Sequence, residues 1–219
     1  MELIKNIRQL RFLAVVFSIL PAGALCAQHV TLEDSIKSGG LNSILRSLSN
    51  PKLSASDPRY FDLRVFLVRE LGTTANRGNV RVHHQLTACL GEGTQRIVRF
   101  KGMSLEYWKV RAEAAMSLGR IGDRKATPHL IRAAMDDSDL HVRVSAVRAL
   151  GLIKDRKAVP RLLDLLSRTN SDIMAMSLVV ALDNIGDKRA FPLLLAVSQR
   201  NFSQEVRNRA LQALKKLKY

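Results

Sequence analysis

Five histidines and two cysteines are the side chains of this 219-residue chain best suited to hold a metal or move a proton. Their spacing favours neither. His83 and His84 are adjacent, so on a helix they diverge by about 100° and cannot grip one ion together. His29, His129 and His141 form no recognisable set of three ligands in the sequence. No HExxH, CxxC or glycine-rich phosphate loop occurs in the chain. The expectation is a chain that is not an enzyme and that carries no metal or cofactor.

What recurs instead is charge. The loop IGDRKATPHL at 121–130 returns as IKDRKAVPRL at 153–162 and IGDKRAFPLL at 185–194, each copy 32 residues after the last. The period extends well past the loop. Val110, Val142, Met174 and Val206 align, as do Leu118, Leu150, Leu182 and Leu214, with Ile121, Ile153, Ile185 and Leu217 closing the register. Arg111, Arg143 and Arg207 follow the first position, and only Ala175 breaks that series.

These repeats need helices to position them. Val110, Ala114, Leu118 and Ile121 are spaced 4, 4 and 3, which gathers them on one helical face. A second apolar run follows each loop, as in VPRLLDLL at 159–166, and the recurring Pro128, Pro160 and Pro192 suit its first turn. Asp or Ser then caps the return helix, as in DDSDLHVR, where oxygen acceptors and negative charge meet a helix N-terminus. Each repeat is therefore an antiparallel helix pair, and neither helix buries its apolar stripe unless neighbouring pairs stack.

The pattern V-R-x-x-A-x-x-x-L-G-x-I-G-D-x-x-A-x-P-x-L resembles the HEAT-like repeats of phycobilisome-lyase-type proteins, closely over 105–219 and loosely over 41–91. The resemblance implies an all-α, right-handed α-solenoid of about five antiparallel helix pairs. HEAT-like metal enzymes of the hydroxylase type use repeated His-Glu pairs, which this chain lacks. Upstream, GLNSILRSLSN (40–50) pairs with LRVFLVRELG (63–72), and NVRVHHQLTACLG (79–91) pairs with a helix beginning near Leu105. Residues 92–104 fit no repeat and suit either a short hairpin or a loop.

Residues 1–27 stand apart. Lys5, Arg8 and Arg11 precede the apolar run FLAVVFSIL, and PAGALCA follows with small residues, the layout of a secretory signal peptide. Cleavage after Ala27 leaves 28–219 as one HEAT-like domain of the periplasm or cell envelope. Lipidation at Cys26 is the lesser alternative, because Leu25 before it is not small. Loss of three bases and one acid with the leader moves the net charge from +16 to +14. The one remaining cysteine, Cys89, cannot form an internal disulfide, so packing alone stabilises the domain. Its place on the apolar side of a helix reads as a small buried hydrophobe.

Two surfaces then stand out. In the Val-Arg helices, positions 3 and 7 point away from the companion helix. They carry Val65, Met116, Val144, Met176 and Val180, with Arg69 and Arg148 interleaved. The resemblance implies that these helices line a concave, docking side, and apolar residues rimmed by arginine suit a protein segment. The second surface is the edge formed by Arg124, Lys125, Arg156, Lys157, Lys188 and Arg189. It is either solvated decoration or a site for anionic envelope lipid or polymer, where successive bases sum their fields. Nucleic acid is disfavoured, since an aromatic content of 5% leaves few stacking platforms and export separates the chain from most of it. Tyr107 and Trp108 read as packing anchors. The reading is a scaffold of the cell envelope that binds an unidentified protein partner on its concave face, with the basic edge as the alternative.

Overall fold

The computed structural model describes residues 41–49, 61–91, 99–100, 103–104 and 107–217. Ten α-helices occur among them: α1 (Leu41–Leu48), α2 (Phe61–Thr74), α3 (Val80–Leu90), α4 (Tyr107–Ile121), α5 (Thr127–Asp136), α6 (Leu140–Ile153), α7 (Val159–Arg168), α8 (Asp172–Ile185), α9 (Phe191–Gln199) and α10 (Gln204–Leu217). The even helices are the Val-Arg helices of the sequence. Each packs on the odd helix before it, giving five pairs, and on the even helices to either side. The chain is an all-α solenoid, as the resemblance implied. The leader, Cys26 and residues 28–40 lie outside the described residues.

The periodic apolar positions form the seam between the two rows. Val110, Ala114, Leu118, Leu150, Leu182 and Ala210 have no exposed surface, and the odd helices meet them with Leu86, Leu130, Leu162 and Leu194, equally enclosed. Pro128, Pro160 and Pro192 open α5, α7 and α9 at the first turn. Asn79, Asp139 and Ser171 cap α3, α6 and α8 through their side chains.

One track sets how closely the even helices approach. A Cβ on Gly119 would lie 2.7 Å from Cα of Ala149, and one on Gly151 would lie 2.8 Å from Cα of Ala181. Gly72 meets Ser117 in the same way. Successive even helices thus touch backbone to backbone while successive odd helices touch little, so the row curves toward its even face. In α8 the track residue is Asp183 rather than glycine, and ionic contacts to α10 replace close packing there.

Between α3 and α4, Arg99–Phe100 (β1) and Met103–Ser104 (β2) pair antiparallel, the hairpin option for that insertion. Residues 92–98, 101–102 and 105–106 lie outside the described residues. No helix among the described residues is long and apolar enough to cross a membrane.

Candidate functional surface

The three repeated loops have a common construction. Each aspartate opens a 3-10 turn, Arg124–Ala126, Arg156–Ala158 or Lys188–Ala190. One carboxylate oxygen of Asp123, Asp155 and Asp187 accepts the backbone N–H two residues on, at 3.0 Å in every copy. The second oxygen serves the contact to the preceding pair. Asp123 lies 3.4 Å from Nδ1 of His83, and Asp155 accepts from the Thr127 hydroxyl at 2.9 Å. Asp187 instead holds Arg189 at 2.8 and 2.9 Å, and Arg189 donates on to the Arg156 carbonyl at 3.2 Å. Those hydrogen bonds from the Arg189 side chain and backbone pull the Asp187 carboxyl down to about 2.

The loop's repetition is therefore structural: the acid caps its own turn in every copy, while Asp155 in the second and Arg189 in the third bond to the repeat before. All six basic-edge residues are exposed. Arg189 is engaged in the stack, Arg156 acts on the Asp187 carboxylate through its charge, and Arg124 and Lys188 form no ion pair among the described residues.

On the even face, Arg69 and Arg148 are exposed, and Val65, Met116, Met176 and Val180 are half-buried. Val144 departs from expectation, for it is only 6% exposed and belongs to the core. Position 3 lies about 20° of helical arc from position 3 + 7, the glycine track, so a side chain there leans toward the neighbouring even helix. α6 has such a neighbour on both sides.

The structure adds two apolar residues to this face that the heptad-like count passed over. Leu152 is 44% and Ile173 60% exposed. They occupy positions 11 and 0 of the same register, within one helical stripe of position 7, so a wider stripe would have found them.

Charge on this face is arranged in threes. Glu113 on α4 accepts from Arg69 on α2 at 3.3 Å and from Arg120 on its own helix. Burial pushes the Glu113 carboxyl up, but the two guanidinium groups outweigh it and hold it below its ordinary value. Asp183, whose side chain is 1% exposed, accepts from Arg209 at 2.6 Å and Lys216 at 2.8 Å through one oxygen. Arg148, between the two clusters, has no acidic partner among the described residues. Each carboxylate thus neutralises one of two cations and leaves a surplus.

The outer row carries a further constellation. His83 on α3 packs edge-on to His129 on α5, with ring centroids 5.9 Å apart. Partial burial, His83 and Arg132 together lower the His129 pKa from its ordinary value. His129 lines a pocket of about 350 Å³ with Thr87, Arg132, Asp136 and Asp137. Sequence spacing could not reveal the His83–Asp123 pair, because 40 residues and a helix separate its members. Among the described residues no cluster of three or more His, Cys, Asp or Glu side chains has a metal-holding arrangement.

Tyr107 is buried at the start of α4, as expected of a packing anchor. Trp108 is half-buried and stacks on His141 of α6 at 4.7 Å, with the Lys109 ammonium 5.7 Å from its ring centre.

A family model of HEAT repeats matches residues 98–183 and 134–215. No curated protein matches the chain. Among similar solved structures is the complex of CpcE and CpcF of phycocyanin lyase from Nostoc sp. PCC7120, at 26% identity and a TM-score of 0.59. The match covers 78% of this chain and 63% of that one. The expectation that the chain is not an enzyme is corrected by this finding, since the similar structure is that of a lyase.

Proposed function

The chain belongs to the HEAT-repeat family, and from that premise we propose that it is a protein-interaction scaffold whose even-helix face holds a partner for a lyase-type reaction. The lyase component is supported by the similarity to the phycocyanin lyase complex, which is itself an assembly of two different chains. This chain spans 63% of the length of that relative.

One observation carries the choice of face. Leu152 and Ile173 remain 44% and 60% exposed on adjacent even helices, next to half-buried Met116, Met176 and Val180. Apolar side chains set among arginines are what the core of an interface requires, and large side chains left in water there gain free energy when covered. Leu152→Asp with Ile173→Asp tests it, because both side chains are outside the packed core. Tagged wild-type chain should retain a partner from an extract of its source, and the double variant should lose it while keeping its helical circular dichroism. Retention of the same partner by the folded variant would remove the even face from the reading.

Residues 1–27 supply the proposal of location: a leader cleaved after Ala27, with the scaffold acting in the periplasm or envelope. Its basic start, short apolar run and small-residue end support that assignment. The intact mass of the native protein decides it, and a retained Met1 in a cytoplasmic fraction overturns it.

A further inference from the structure

The even face fixes the chemistry of what it binds. We propose that the occupant is an amphipathic helix of a partner protein, with acidic residues flanking its apolar stripe. This rests on the even face being the docking surface and goes further by naming the ligand's charge and period.

The charge argument starts from the surplus. Arg69 and Arg120 share Glu113, Arg209 and Lys216 share Asp183, and Arg148 between them has no acid among the described residues. These five cations and two carboxylates leave three net positive charges among the described residues, with exposed Glu205 the further acid at the α10 end of the face. The two carboxylates are not available for a ligand's bases, since Glu113 is held between two guanidinium groups and the Asp183 side chain is almost wholly enclosed. A basic segment would meet unpaired like charge at each step, and an acidic one would be matched.

The spacing argument starts from the repeat. Packed helices lie about 8–10 Å apart, and a ligand helix advances about 1.5 Å per residue. A helix laid across the even row therefore meets a new repeat about every six residues. Apolar and cationic groups alternate along that path, with Met116 and Arg120 on α4, Arg148 and Leu152 on α6, and Val180 on α8. A ligand with apolar residues at i, i+3 or i+4, and i+7 keeps one stripe over this path. Three steps from α2 to α8 span about 27 Å, or about 18 residues of helix. A curved trough of helix faces also suits a rod better than a flat bilayer.

The test uses the full chain and two fluorescent 20-residue peptides. Both have leucine at those apolar positions; one is flanked by glutamate and the other by lysine. Fluorescence anisotropy at low salt should show the glutamate peptide binding at least about tenfold more tightly. Arg148→Glu should erase most of that preference, and added salt should weaken it. Equal binding of both peptides, or an unchanged preference in Arg148→Glu, overturns the acidic assignment while leaving the face as a docking site. If neither peptide binds although Leu152→Asp with Ile173→Asp releases the native partner, the helical-ligand assignment fails and the docking reading stands. Displacement of the glutamate peptide by phosphatidylglycerol vesicles, but not by phosphatidylcholine vesicles, would overturn it in favour of an anionic lipid surface.

Discussion

Arg111 of α4 and Asp137 at the end of α5 form a two-pronged ion pair, 2.8 and 2.9 Å long, with side chains only 5% and 3% exposed. The same carboxylate accepts the backbone N–H of Asp139 at 2.9 Å, and Arg143 donates to the Asp137 carbonyl at 2.7 Å. Two of the recurring Val-Arg arginines thus fasten the end of α5, and Arg64 does the same at α1 by donating to the Leu48 carbonyl, whereas Arg207 donates to Gln204 on its own helix. Removing one member of an enclosed pair strands the other charge. Arg111→Met should lower unfolding free energy by about 3–5 kcal/mol, measured by urea titration. Arg111→Met with Asp137→Leu should cost less than the single variant, because no charge is left buried. Near-additive losses would show the two residues acting independently.

Lys154 is the C-cap of α6 and has φ 56°, in the left-handed region. At the equivalent points α4 and α8 are followed by Gly122 and Gly186, with φ 71° and 68°. A lysine there carries a Cβ against the following carbonyl, at a cost of about 1–2 kcal/mol relative to glycine. The Lys154 side chain is exposed and forms no ion pair among the described residues, so little offsets that strain. Lys154→Gly should raise stability by about 1 kcal/mol, and thermal unfolding should report it. A loss of stability would place the lysine in a contact that the fold depends on.

Periodicity made the fold readable and also limited the reading of the site. A 32-residue repeat with apolar spacings of 4, 4 and 3 sufficed for helix pairs, their order and the proline starts, since those depend on local pattern. Val144 failed because a single-helix projection cannot say how near the next helix comes. That distance is set by Gly119 and Gly151 on the neighbouring track. The Arg111–Asp137 and His83–Asp123 pairs were invisible for a related reason: each joins residues from different elements, brought together only by stacking. The structure makes the repeated aspartate the cap of its own turn, and Asp155 also accepts from Thr127 of the preceding pair. The expectation of a chain that is not an enzyme yields to the likeness to a lyase complex, which residue spacing along one chain does not reveal.

Asp187 gives a pH dependence of known sign. Its carboxyl is drawn from an ordinary 3.8 to about 2 in the folded chain, by Arg189 first and then its backbone N–H. A depressed folded value stabilises the fold above the unfolded value and loses that contribution as pH falls through the folded one. The window is therefore about pH 4 to pH 2. Asp187→Asn keeps an oxygen for the cap and loses the ion pair. The variant should be less stable than wild type at pH 6, and their urea midpoints should converge as pH approaches 2. A constant gap across that window would assign the effect to capping alone.

Cys89 supplies the last prediction, because it is fully enclosed on α3. The Arg64 guanidinium and the Gln85 amide approach its sulfur at 4.0 Å. A thiol shut away from water cannot reach an aqueous reagent in the native fold, whatever its acidity. Ellman's reagent should therefore modify Cys89 only as fast as the domain opens, and urea should accelerate labelling along the unfolding curve. The other cysteine, Cys26, falls within the proposed leader and lies outside the described residues. Native protein from its source should consequently show no fast-reacting thiol and one slow one. A fast second thiol at Cys26 would mean that the leader is retained, and an added lipid mass with Cys26 blocked would mean an anchored chain. Fast labelling of Cys89 itself would show that α3 is not packed against α4 as described.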